Sequence, residues 1–73
     1  IKVVPNPSTG LFTISFSDNS QHAISVTDAL GRLVLNSQVS GQAQIDLSGQ
    51  PIGIYILQAQ TKTGRLTSKL VVE

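Results

Sequence analysis

The stretch "PNPSTGLFTISFS", residues 5–17, joins a turn to an alternating run and indicates how the chain folds. Its letters N-P-S-T fit a type I turn, because asparagine is favoured in the first position and proline in the second. Gly10 follows, where a positive φ is expected. Beyond Gly10, apolar residues occupy every second position as far as Phe16, which is the pattern of a half-buried strand.

The same period of two recurs along the chain, whereas helical spacing is sustained nowhere. It predicts seven strands, near residues 1–4, 11–17, 22–28, 32–38, 43–47, 53–61 and 65–72. A strand and a turn in about every 10 residues are typical of a β-sandwich or a barrel. The chain is therefore predicted to be all-β.

Two features predict where strands lie in their sheets. Pro5 and Pro7 border the first strand, and proline is tolerated better at an edge than in the centre, so this strand is predicted at an edge. Residues 54–57 are apolar at every position, which predicts a central strand. Residues 69–72 show a similar pattern and are interpreted in the same way.

Specific residues predict the turns between the later strands. In "DALGR", Asp28 and Gly31 occupy the first and fourth positions of a type I turn. In "KTGR", Gly64 lies where a short hairpin needs a positive φ. "SGQPIG", residues 48–53, predicts a wider connection, and "SG" at 40–41 is a weaker turn signal.

Composition limits the classes of function. With 73 residues the chain is one small domain, and 12% charged residues with a net charge of +1 provide no basic cluster for nucleic acid or an anionic membrane. The absence of cysteine excludes disulfides, thiolate metal sites and a cysteine nucleophile. No apolar run is long enough to span a membrane, and the first residues do not resemble a signal peptide. Because the chain begins on a strand-like residue without methionine, we expect a domain excised from a longer protein.

The sequence predicts no catalytic, cofactor-binding or metal site. His22 is interpreted as a solvated side chain at a strand end, and "SDNS" at 17–20 offers few of the oxygens that calcium needs. Nucleophile-elbow, Walker and dinucleotide-binding motifs are missing. Phe12 and Phe16 are expected in the core, and Tyr55 in the core or at a hydrogen-bonded rim. We predict that the chain is not an enzyme.

Four segments in a fixed order carry a family resemblance: "VVPNPSTGLFTISF", "ISVTDALGRLV", "IDLSGQPIGIYILQAQT" and "GRLTSKLVVE". They cover essentially the whole chain and closely resemble the type A C-terminal sorting domain of the type IX secretion system of Bacteroidota. The resemblance implies a small Ig-like or fibronectin-like antiparallel β-sandwich. It also implies that residues 1–73 are a single domain at the C-terminus of an exported protein.

The function implied by the resemblance is that of a non-catalytic address on a cargo protein. The cargo, which precedes the domain, would reach the periplasm of a Gram-negative bacterium by its own signal. The outer-membrane translocation machinery would then recognise the domain. A sortase-like surface protease would remove it and attach the cargo to the cell surface. No cofactor, nucleic acid or membrane span of its own is implied.

The resemblance also assigns motif residues, and it does so position by position. They are Pro5, Asn6, Pro7, Gly10, Asp28, Gly31, Arg32, Gly53, Tyr55, Lys69, Leu70, Val71 and Val72. A role in shaping the turns is sufficient to explain the glycines and prolines. Lys69 either guards an edge strand against aggregation or contacts a partner, and Arg32 and Arg65 would join it if the fold brings them together.

Two departures from the family and two alternatives accompany this interpretation. Val4 stands where many members carry tyrosine, and Glu73 is acidic where basic or apolar residues are frequent. A carbohydrate-binding or adhesive module would show an exposed aromatic or acidic cluster. An inert Ig-like spacer would continue beyond Glu73, whereas a C-terminal address is expected to stop near it.

Overall fold

Seven β-strands make up the regular structure in a computed structural model that describes residues 2–4, 9–18, 20–61 and 64–73. The strands are β1 (Lys2–Val4), β2 (Leu11–Ser15), β3 (Gln21–Asp28), β4 (Leu33–Ser40), β5 (Gln42–Asp46), β6 (Gly53–Thr61) and β7 (Gly64–Val72). All seven predicted strands are confirmed, with differences of one or two residues at their ends. The described residues include no helix long and apolar enough to cross a membrane.

The strands form two antiparallel sheets that pack face to face. One sheet has three strands in the order β1-β2-β5, and the other has four in the order β4-β3-β6-β7. A single residue, Gly41, carries the chain from β4 in one sheet to β5 in the other. This arrangement confirms the Ig-like or fibronectin-like sandwich rather than a barrel.

The positions of three strands test the predictions about edges. β1 ends the three-stranded sheet and β6 lies between β3 and β7, so both predictions are confirmed. The central position predicted for residues 69–72 is wrong, because β7 ends the four-stranded sheet. Its apolar residues divide between the faces: Leu70 and Val72 are buried in the core, whereas the half-buried Val71 pairs with Ile54.

The core lies between the inner faces of the two sheets. Alternate residues of β2, β3, β5, β6 and β7 point inward, as the period of two predicts. The buried hydrophobic residues are Phe12, Ile14, Ile24, Val26, Ile45, Leu47, Tyr55, Leu57, Ala59, Leu70 and Val72. The half-buried Phe16 packs against them. The predicted positions of both phenylalanines and of Tyr55 are confirmed.

His22 is buried, so its interpretation as a solvated side chain is wrong. Only 4% of the residue is exposed, and its ring stacks on Phe16 with the centroids 4.1 Å apart. Nδ1 lies 3.2 Å from the carbonyl oxygen of Gln60, and Nε2 lies 2.9 Å from Oδ1 of Asp18. These polar contacts are what make burial of the ring tolerable. The sequence did indicate burial, since His22 lies two positions before the core residue Ile24 and its side chain therefore points to the same face of β3.

Two aspartates close turns through the N–H of the residue two positions further along. Asp18 accepts from the N–H and the hydroxyl of Ser20, and Asp46 accepts from the same two groups of Ser48. Hydrogen bonds to the ionised form lower the pKa of both carboxyls. The main cause is His22 for Asp18 and the Ser48 hydroxyl for Asp46.

Gly10 lies where two segments of backbone approach closely. Its carbonyl oxygen accepts the N–H of Leu47 at 2.6 Å, and its φ is +134°. A Cβ built on Gly10 would lie 2.6 Å from the Cα of Ser48, closer than real Cβ atoms come to backbone. The type I turn predicted on residues 6–9 has its first three residues outside the described residues, and it stays a prediction.

Replacing Gly10 with alanine should destabilise the domain more than the same change at Gly53. Both residues have a similarly positive φ, +134° and +149°, but the space beside Gly53 is open. Backbone strain of about 1–3 kcal/mol is common to both variants, and Gly10→Ala adds the clash with Ser48. Urea unfolding of the two variants measures the difference. Equal losses of unfolding free energy would contradict the close approach.

Acid should destabilise the domain as Asp18 and Asp46 become protonated. Their pKa values are lowered in the folded state, so the unfolded chain binds protons more readily. Their contribution to stability is complete above an unfolded pKa of about 3.9 and is lost as the pH falls through the lower folded values. Urea unfolding at a series of pH values checks this. Asp46→Asn should flatten the decline, and an unchanged decline would contradict the prediction.

Candidate recognition surface

The described motif residues lie together at one end of the sandwich. Tyr55 on β6 pairs with Asp28 on one side and with Leu70 on the other, and Gly53 pairs with Val72. Three motifs that are far apart in sequence therefore meet across neighbouring strands. We call this region the motif end and define it as Gly10, the turn at 28–32 with Leu33 directly after it, residues 50–55 and residues 69–72.

Hydrogen bonds between connections hold the motif end together. Leu47 donates its N–H to Gly10, and its own carbonyl accepts the N–H of Gln50 at 3.0 Å. The hydroxyl of Tyr55 donates to the carbonyl oxygen of Pro51 at 2.5 Å, while the rest of its side chain lies in the core. The wide connection between β5 and β6 is thus fixed to Gly10 at one end and to β6 at the other.

The turn at 28–32 forms as predicted around Asp28. Gly31 donates its N–H to the carbonyl of Asp28 at 3.0 Å and has a φ of +85°. The Asp28 carboxylate accepts the N–H groups of Leu30 and Arg32, at 2.9 and 3.0 Å. Arg32 Nε also donates to it at 2.9 Å. The N–H of Arg32 is the main cause of the lowered pKa of Asp28, followed by the Arg32 side chain.

The three cations singled out in the sequence do not come together. Lys69 is exposed on β7 and pairs with Ile56. Arg65 lies on the same face of β7, roughly 14 Å away, because four residues separate them at about 3.4 Å each. Arg32 precedes β4, which lies across the sheet from β7, roughly 14 Å for three strand spacings. Only Arg32 and Lys69 belong to the motif end.

Sequence reasoning missed a group of exposed aliphatic residues at this end. Leu30 is 81% exposed, Ile52 77%, Leu33 59% and Ile54 47%. A cleft of about 210 Å³ lies between the turn at 28–32 and residues 50–55, and Leu30, Ile52 and Ile54 line it. The available signal was an apolar residue inside each of two turn motifs, "DALGR" and "SGQPIG".

The chemistry that the motif end offers is binding. Asp28 already accepts three hydrogen bonds from its own turn, and Tyr55 uses its hydroxyl to hold Pro51. Among the described residues, no three histidine, cysteine, aspartate or glutamate side chains are grouped to hold a metal ion. What the end displays is a guanidinium and aliphatic side chains around a cleft, and the ammonium group of Lys69 outside the cleft on β7.

Comparison with known proteins places this architecture in a family. The chain matches the family described as "Secretion system C-terminal sorting domain" over residues 2–73. It is also 32% identical over 76 residues to an endo-acting ulvan lyase of Formosa agariphila. That match covers all of this chain and 15% of the lyase, so the chain spans a small part of its relative's length.

The family match has consequences for location and activity. A sorting domain of this family is a signal and not a catalyst, which confirms the prediction that the chain is not an enzyme. It marks a cargo protein for export through the outer membrane of a Gram-negative bacterium, to the cell surface or the medium. The lyase from Formosa is consistent with a source in Bacteroidota. The chain belongs to the C-terminal sorting domains of the type IX secretion system.

Proposed function

We propose that residues 1–73 are one C-terminal domain of a larger exported protein and that the outer-membrane translocation machinery recognises the motif end. The observation that carries the proposal is the position of the motif residues. From Gly10 to Val72 the described ones lie at one end of the sandwich, although they come from separate strands and turns. A surface built in this way depends on the fold of the domain and not on the cargo.

The direction in which the chain enters the domain supports this assignment. Lys2 in β1 pairs with Ser15, whereas Leu11, at the other end of β2, pairs with Asp46 close to the motif end. Lys2, the first described residue, therefore lies at the opposite end of the sandwich. A cargo attached there leaves the motif end accessible to the machinery.

Two modes of recognition are compatible with this geometry. Outward side chains such as Lys69 and Arg32 offer charge-assisted hydrogen bonds. Because β7 ends the four-stranded sheet, a partner held at the motif end can also add a strand along the adjoining first half of β7, residues 64–68, through backbone hydrogen bonds that a side-chain change at Arg65 leaves intact. Both modes use groups of the sorting domain alone, which suits an address that must work on unrelated cargoes.

We also propose that a sortase-like surface protease removes the domain and joins the cargo to the cell surface. The resemblance to the family suggests this step. The paired strand β1 supports a cut before Lys2, because residues within a sheet do not fit a protease cleft as an extended substrate. The domain acts in this step as a substrate.

The alternative functions have less support. A carbohydrate-binding module of the usual kind needs exposed aromatic rings, but Phe12 and Tyr55 are buried and Phe16 is half-buried. An inert spacer does not account for a match to a sorting-domain family along residues 2–73. The secretion assay below distinguishes both from an address.

The first test is export of a fusion that carries residues 1–73 at the C-terminus of a periplasm-targeted fluorescent protein. It should reach the medium or the cell surface in a host with the type IX translocon and stay in the periplasm of a host without it. Fluorescence in the two fractions measures this. Retention of the folded fusion in both hosts would contradict the proposed function.

Within that assay, Lys69→Ala should lower export roughly tenfold, the effect of losing about 1.4 kcal/mol of recognition energy. Arg65→Ala is the matched control, because Arg65 lies on the same face of β7 but away from the motif end. Deleting residues 69–73 is less informative, since Leu70 and Val72 belong to the core. Normal export of Lys69→Ala would remove Lys69 from the recognition surface.

A further inference from the structure

Exposed aliphatic side chains are concentrated at the motif end. Of the seven large hydrophobic residues that are exposed in the described part of the chain, four are found there. They are Leu30, Leu33, Ile52 and Ile54, and we call them the apolar patch. Single exposed hydrophobic residues are ordinary on protein surfaces, whereas a contiguous group marks a site of interaction.

The geometry brings the patch residues close to one another. Leu30 and Ile52 project from two turns that border the same cleft, and Ile54 lines it from the start of β6. Leu33 does not line the cleft; it lies next to Arg32 and pairs with Thr27, whose other neighbour is Ile56 on β6. Two connections and two strands thus contribute to one surface.

The fold does not explain why these positions are apolar. The turn at 28–32 is closed by the Asp28 carboxylate and by Gly31, and Leu30 contributes only its backbone N–H. The next connection is held by the bond between Tyr55 and Pro51, with Ile52 directed into solvent. A polar residue at either position would preserve every contact that fixes the turn.

The rim of the cleft indicates what chemistry a partner brings. Arg32 lines the cleft and its side chain is 77% exposed, whereas the Asp28 side chain is 18% exposed and bonded to its own turn. Of the guanidinium nitrogens of Arg32, Nε is the one that bonds to Asp28. The bond orients the guanidinium, and its Nη groups are suited to a carboxylate from a partner.

We propose that the apolar patch docks a component of the export machinery that inserts an aliphatic or aromatic side chain between Leu30 and Ile52 and places a carboxylate against Arg32. This inference rests on the proposed function, because it assigns the partner of the motif end. Two features select this occupant: the cation at the rim of the cleft, and the continuity of the patch with the surface where the family motifs meet.

The test is the double variant Leu30→Ser with Ile52→Ser in the cargo fusion described above. Its export should fall roughly tenfold or more. Its thermal unfolding midpoint should stay close to that of the unmodified domain, because both side chains are exposed. Leu66→Ser is the control, since Leu66 is 38% exposed on β7 but lies away from the motif end. Because Leu66 pairs with the buried Ala59, its thermal unfolding midpoint is measured as well, and the folded variant should be exported like the unmodified fusion.

A second variant tests the carboxylate. Arg32→Gln keeps N–H donors near Asp28 and removes the positive charge, so export should fall by roughly threefold, less than in the double variant. Export equal to that of the unmodified fusion would overturn the part of the inference that concerns an acidic partner.

The outcomes separate this inference from the proposed function. If the unmodified fusion is not exported by the translocon, both are overturned. If the unmodified fusion and the double variant are exported equally, only docking at the patch is overturned. Light scattering then shows whether the patch joins two copies of the domain: a dimer that the double variant abolishes would assign it to a second copy.

Discussion

The register of β6 is the constraint on which the rest of the structure depends. Tyr55 pairs with Asp28 on one side and with Leu70 on the other, so one strand aligns the turn at 28–32 with the end of β7. A slip of one residue would turn every side chain of β6 to the opposite face and remove Leu57 from the core. The same register therefore builds the core and assembles the motif end.

Stability and recognition are divided among the motif residues. Asp28, Gly31, Tyr55 and Leu70 close turns or fill the core, and their side chains or backbones are occupied in doing so. Arg32 and Lys69 are exceptions, because the Arg32 guanidinium is displayed beside the cleft and the Lys69 side chain is exposed on β7. A family motif in this domain thus describes how the end is built more than which atoms a partner contacts.

Sequence periodicity predicted the strands because each sheet has one buried face, and a strand with one buried face carries an apolar residue at every second position. It misplaced residues 69–72, since apolar residues on both faces indicate burial without saying whether a neighbouring strand covers them. His22 was misjudged by residue type although its parity with Ile24 was visible. Leu30 and Ile52 were missed for another reason. They become neighbours only because β6 brings two connections together, and no local sequence pattern indicates that contact.

The motif end exists only when the domain is folded. In the unfolded chain, Gly10, Asp28, Gly53 and Val72 belong to separate segments, and none of them alone presents the cleft or the rim around it. If the machinery recognises this end, it recognises the folded sandwich, and a cargo with an unfolded address would stay in the periplasm. Core variants that unfold the domain should therefore lose export for a different reason from surface variants, and protease resistance of the retained fusion separates the two.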